Sequence, residues 1–138
     1  MSSLKEAYPE ATILHTICDV AESEGRSILV QAAKEGFGKI KGLVNNVGTN
    51  TRKPILEQTE EEYYTMMKTN VDSSYFLCRS FSDLFDEDGA TIVNVSSAAG
   101  TRSSGTGAAY GMSKAAINHF TRILACEWAA RKIRVNAI

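Results

Sequence analysis

The chain has 138 residues, of which 43% are hydrophobic and 22% charged, and a formal net charge of −1 at pH 7. That is ordinary globular composition on a chain long enough to form a core, and nothing in it favours disorder. Near-neutral charge without any long run of one sign argues against nucleic acid and membrane surfaces as partners, and no apolar stretch approaches the roughly 20 residues of a membrane span.

After a short helical stub, Ala11 to Cys18 alternates loosely between apolar and polar residues and reads as a strand. Ser23 to Phe37 reads as a helix, with Ile28, Leu29, Ala32 and Ala33 on one face and Gly36 and Gly38 ending it. Lys41 to Asn45 is the next strand, and Thr51 to Gln58 is a loop containing Pro54. A long helix is predicted from about Glu60 to Phe85. Its start is marked by Thr59-x-x-Glu62, a capping box that places Glu60, Glu61 and Glu62 where the helix dipole favours acids. Ala90 to Ser96 is apolar and β-branched between two turn-forming stretches, so it reads as a buried strand of a parallel sheet. A loop rich in Gly, Ser and Thr then leads into a last helix, about Ala108 to Arg131. Strands alternating with helices predict an α/β fold with a doubly wound parallel sheet.

Cys18, Cys78 and Cys126 are odd in number and set among apolar neighbours, which predicts reduced core thiols. No Cys-x-x-Cys and no His pair at ligand spacing occurs, since His15 falls in a strand and His119 in a helix, and no metal is expected. The N-terminus carries no apolar signal region, so a cytoplasmic protein is expected.

Tyr110 and Lys114 carry the strongest chemical signal. Residues i and i+4 project from the same helical face, which sets a fixed cation beside a phenol and stabilises phenolate. A phenol so placed can exchange a proton near neutral pH. Ser97 lies thirteen residues before Tyr110 at the carboxyl end of a strand, the edge where open α/β sheets bind ligands. Either feature alone is commonplace: Tyr-x-x-x-Lys arises by chance, and a serine after a strand is often a turn residue. Their joint placement points to catalysis.

On these residues the chain resembles the short-chain dehydrogenases/reductases, and their tropinone-reductase-like branch in particular. The resemblance also rests on Cys18-Asp19-Val20, Asn45-Asn46-Val47-Gly48, Thr69-Asn70-Val71, Tyr110-Gly-Met-Ser-Lys114, Leu124-Ala-Cys-Glu-Trp-Ala129 and Ile133-Arg-Val-Asn-Ala-Ile138. Val47 stands where the family usually has Ala. The resemblance implies a Rossmann-type sheet and hydride exchange between NADP, with NAD as the alternative, and a small carbonyl or alcohol substrate. It assigns proton exchange to Tyr110, a hydrogen bond to the reacting oxygen to Ser97, and the nicotinamide ribose to Lys114. Asn70, through a local disturbance of its helix, would hold a relay water. Asp19 and Val20 would bind adenine, and Asn46, Val47 and Gly48 would line the adenosine ribose. A homo-oligomer is implied by the helices around residues 60 to 85 and 108 to 131, whose apolar residues Tyr63, Met66, Phe76, Phe120 and Trp128 exceed one stripe.

The family's opening Thr-Gly-x-x-x-Gly-x-Gly turn has no counterpart among these residues. Residues 1–138 are therefore expected to be the central part of one dinucleotide-binding oxidoreductase domain, a partial sheet lacking the first two strands and the C-terminal strand and helices. Such a portion is expected to hold the nucleotide weakly alone, and its sheet to have a hole between the first two strands read above. The function expected is an NADP-dependent oxidoreductase interconverting a ketone and a secondary alcohol. The alternative is an inactive truncated paralogue acting through association with a full-length relative.

Overall fold

The computed structural model describes residues 2–138. Three parallel strands form the sheet in the order β1, β2, β3: β1 is Gly42–Asn45, β2 is Ala90–Asn94 and β3 is Ile133–Ala137. In register, Leu43 lies opposite Ile92, and Ile92 opposite Val135. Because β2 is paired on both edges it carries the most buried strand residues, and Ile92 is 0% exposed.

Five helices accompany the sheet: α1 Ser2–Ala7, α2 Ser23–Phe37, α3 Glu60–Met67, α4 Ser73–Ser80 and α5 Ala108–Glu127. A π-helical turn, Lys68–Asp72, joins α3 to α4, and a short 3-10 turn, Ser82–Leu84, follows, so the long helix read from the sequence is one rod with a wide turn inside it. Its start is the expected capping box: Glu62 N–H donates to Thr59 Oγ1 at 3.2 Å, and Thr59 N–H donates to Glu62 Oε2 at 3.0 Å. Lys53 also pairs with Glu62, and that bond, with the Thr59 amide, holds the carboxyl below its usual range. Leu77, Phe81 and Phe85 pack with Ile92, Leu124 and Val135 to form the core, with Phe85 edge-on to Trp128 at 5.9 Å.

Several expectations are corrected. Ala11 to Cys18, with His15 inside it, forms no strand: the segment has no ladder partner, and Ile17 is 87% exposed. β1 is therefore an edge strand, with Val44 63% exposed, and the expected hole between two strands does not form among the described residues, because no strand lies on its far side. Ile133–Ala137, to which the sequence reading gave no element, is a strand because Ile133 and Val135 alternate into the core against β2. On α2 the inward face is Leu29, Val30 and Ala33, while Ile28 faces solvent. Only Cys78 is a core thiol; Cys18 is half-buried and Cys126 exposed. Of the residues assigned to an association face, Met66 is buried within the chain and Phe76 lies under the Arg26 guanidinium, 4.8 Å away. The groove that remains along α4 and α5, about 430 Å³, is lined by Tyr75, Phe120, Ile123 and Trp128.

Candidate active site

The site is assembled where the chain leaves the carboxyl ends of β1 and β2. The β2 exit runs through Ser97 into a 3-10 turn, Ala98–Gly100, that presses on α5. A side-chain carbon at Gly100 would fall 2.7 Å from the Lys114 carbonyl carbon, and one at Gly111 would fall 3.2 Å from the Ala99 oxygen. These two glycines let backbone meet backbone, and so set the Ser97 turn beside the first turns of α5. Ser97 Oγ accepts a hydrogen bond from Ala99 N–H at 3.1 Å, which leaves its own hydrogen free to donate.

Lys114 is only 5% exposed. Its ammonium donates to the Val95 carbonyl at 2.8 Å and stands 5.8 Å from the centre of the Tyr110 ring. Burial pushes the Lys114 pKa down, because a charged amine is costly away from water. The i, i+4 relation read from the sequence thus places cation and phenol together.

Asn70 sits in the π turn and is 1% exposed. Its Oδ1 accepts from Thr49 N–H at 2.7 Å, and its Nδ2 donates to the Thr49 carbonyl and to Ser113 Oγ, each at 3.0 Å. Ser113 Oγ in turn donates to the Tyr110 carbonyl at 2.8 Å. The side chain therefore ties the loop after β1 to α5. Bonding of a neighbouring carbonyl is the structural role such an asparagine often has; the π turn that carries it is the helix disturbance expected from the resemblance.

Asn46, Val47 and Gly48 are exposed on that same loop. A side-chain carbon at Gly48 would lie 3.3 Å from Asn70 Oδ1 and 3.5 Å from Lys114 Nζ, so glycine lets this loop lie close against the asparagine and the lysine. An exposed loop with a glycine lying close to a buried ammonium at the strand ends suits the sugar and phosphate edge of a dinucleotide. Asp19 and Val20 belong to a different group, the turn before α2, and no hydrogen bond joins them to the Tyr110 group among the described residues. There Asp19 Oδ1 accepts from Ala21 N–H at 2.9 Å.

Sequence reasoning missed Thr49 and Ser113, the partners of Asn70, and the buried chain in which Asn45 Nδ2 donates to Asn94 Oδ1 at 2.8 Å and Asn94 Nδ2 to Thr121 Oγ1 at 2.9 Å. For the Asn45, Asn94 and Thr121 chain the available signal was polar residues at positions that the strand and helix periods turn inward.

Fold and site together define a parallel α/β protein of the dinucleotide-binding type, with a tyrosine–lysine pair at the strand ends. The chain belongs to the short chain dehydrogenase family, whose model matches residues 1–138. A tropinone reductase homolog of Arabidopsis thaliana is 42% identical over 125 residues, which are 89% of this chain and 47% of the relative. The tropinone reductase homolog of Datura stramonium is 42% identical over 124 residues, covering 88% of this chain and 46% of its own length. The crystal structure of L-sorbose reductase from Gluconobacter frateurii, complexed with NADPH and L-sorbose, superposes with a TM-score of 0.93 at 29% identity, covering 99% of this chain and 52% of that one. The chain thus spans about half the length of the curated relatives it matches. No helix among the described residues is long and apolar enough to cross a membrane.

Proposed function

We propose that the protein interconverts a ketone and a secondary alcohol using NADP(H), with NAD(H) as the alternative nucleotide. The observation that carries this reading is the position of Lys114, buried beside the Tyr110 ring and close against the exposed Asn46–Gly48 loop. It puts a proton-exchanging group and a nucleotide-facing loop within reach of one cation. A nicotinamide held there supplies or accepts the hydride.

The chain's own residues do the rest. Tyr110 donates its phenolic proton to the carbonyl oxygen during reduction and takes it back during oxidation. Ser97, its hydroxyl hydrogen uncommitted, donates to the same oxygen and fixes its position. Lys114 stabilises the phenolate that Tyr110 becomes and offers its remaining hydrogens to a ribose hydroxyl. Asn70 keeps the Thr49 loop and the Ser113 turn of α5 in one arrangement, and the π turn around it frees backbone carbonyls to hold a relay water. Asp19, Val20, Asn46 and Val47 complete the adenosine side. We place the protein in a reducing compartment such as the cytoplasm, in keeping with its three unpaired cysteines.

The test is NADPH oxidation by the whole protein with a panel of small ketones. Tyr110→Phe should lower kcat by about 10²- to 10⁴-fold while leaving NADPH affinity nearly unchanged. A fully active Tyr110→Phe protein would overturn the assignment. The same reading makes the α4–α5 groove a contact between two copies, since Tyr75, Phe120, Ile123 and Trp128 form an apolar strip there. Light scattering should then show an oligomer at micromolar concentration, and monomer alone would refute it. A noncatalytic role through association is the second reading, favoured by the open β1 edge and exposed Val44 and Ile17; a wild-type protein that is oligomeric and inactive with every ketone and both nucleotides would support it.

A further inference from the structure

Arg26 is a buried cation that the reaction chemistry does not use. It lies in the first turn of α2 and is 9% exposed, yet no carboxylate pairs with it among the described residues. An unpaired guanidinium away from water is costly, so its surroundings must compensate. They do so through backbone: Arg26 Nη1 donates to the Val20 carbonyl at 2.9 Å and to the Ala21 carbonyl at 2.8 Å. The guanidinium carbon lies over the Phe76 ring of α4, 4.8 Å from its centre, a cation–π contact. The turn before α2 is thereby fastened to the rod that carries Asn70.

The fastening decides what the turn can offer to a ligand. With both carbonyls drawn to Arg26, Ala21 N–H is used by Asp19 Oδ1 and Glu22 N–H by the Asp19 carbonyl at 3.1 Å. Val20 N–H has no hydrogen-bond partner among the described residues, and Asp19 Oδ2 has none either. The turn therefore presents one acceptor beside one donor. That pair complements the amino group and the adjacent ring nitrogen of adenine, the one a donor and the other an acceptor. Gly25 lets α2 come this close, since a side-chain carbon there would fall 1.9 Å from the Asp19 oxygen.

We propose that Arg26 is the positioning residue of an adenine-recognition turn: by holding the Val20 and Ala21 carbonyls inward it fixes the free Asp19 oxygen and the Val20 amide in the arrangement that reads the adenine edge. This rests on the nucleotide-dependent function proposed above. Both bonds leave the one nitrogen, so a lysine could reproduce them only without the guanidinium's contact with the Phe76 ring, and should replace Arg26 only in part.

The experiment compares NADPH with its hypoxanthine analogue, which carries an oxygen in place of the amino group and a ring N–H in place of the bare nitrogen. In the whole wild-type protein, kcat/KM for NADPH should exceed that for the analogue by about tenfold or more, as for a site built to hydrogen-bond the missing group. Arg26→Gln should bring the ratio to within about twofold of unity by raising KM for NADPH, with kcat at saturating nucleotide altered less than about twofold. Arg26→Lys should lie between, and its ratio decides the matter should Arg26→Gln not fold. A purely structural defect would lower both nucleotides together and leave the ratio unchanged; that result overturns the proposal, as does a wild-type ratio near one. A wild-type protein inactive with both nucleotides would instead overturn the functional reading beneath it.

Discussion

Ala90-Thr-Ile and Ala11-Thr-Ile are the same tripeptide in two halves of the molecule, and only the first is a strand. In β2 the run lies between β1 and β3, and Ile92 is sealed off from solvent. In the Ala11 segment the chain is without a ladder, and Leu14 and Ile17 face water. A β-branched run expresses strand character only when neighbours take up its amides and cover its side chains. The packed half and the open half therefore differ in partners rather than in local propensity.

The largest expected difference lies in the isoleucines. Ile92→Ala should destabilise the protein by about 2–5 kcal/mol, because it leaves a cavity between the sheet and the helices packed on it. Ile17→Ala should change stability by no more than about 0.5 kcal/mol, as for an ordinary surface exchange. Urea unfolding followed by circular dichroism measures both, and comparable losses would mean that the open half is packed in solution. The glycines sharpen the contrast more finely. At Gly100 an added methyl meets the Lys114 backbone inside the packed half, so Gly100→Ala should cost about 1–3 kcal/mol. At Gly25 the clash is worse, since the added carbon would fall 1.9 Å from the Asp19 backbone oxygen, in the turn that Arg26 fastens. Gly25→Ala should therefore cost about 1–3 kcal/mol or more in stability, at least as much as Gly100→Ala, and also weaken nucleotide binding, and thermal melts with and without NADPH separate the two effects. The smallest effect is chemical and needs no substitution. Cys78 is walled in by the packed half, which pushes its thiol up to about 11, whereas Cys18 ends the open segment and is half-buried. A disulfide reagent at pH 8 should modify Cys126 first, Cys18 next and Cys78 only after unfolding, with peptide mapping giving the order. Early loss of Cys78 would show that the core opens readily.

Local patterns made much of this legible. The α2 boundaries, the Thr59–Glu62 capping box and the shared face of Tyr110 and Lys114 each depend on residues within a few positions of one another, and each is present. Strand status of the Ala11 segment was misread because it depends on a neighbour, which no run of alternating residues specifies. The partners of Asn70 were invisible for a related reason: Thr49 and Ser113 lie 21 and 43 residues away in sequence, and no period connects them. Arg26 was passed over because arginine is ordinarily a surface residue, and only the carbonyls of Val20 and Ala21 with the Phe76 ring make its burial tolerable.

The wide turn at Lys68–Asp72 corrects an arithmetic error that every regular helix makes. Met66, Asn70, Ser74 and Cys78 are all buried, and they recur every fourth residue. Four residues of α-helix overshoot a full revolution by about 40°, so over three such steps the inward stripe would wander by about 120° and carry its last member toward solvent. A π turn holds more residues per revolution and takes up most of that drift, which keeps the stripe straight along the rod. The segment thus acts as one extra residue accommodated within an otherwise regular rod. Val71, half-buried, can give way to another aliphatic side chain; deleting it would leave eleven α-helical steps from Met66 to Cys78, about 20° past three turns, so Cys78 would stay on the stripe and what would be lost is the wide turn that carries Asn70.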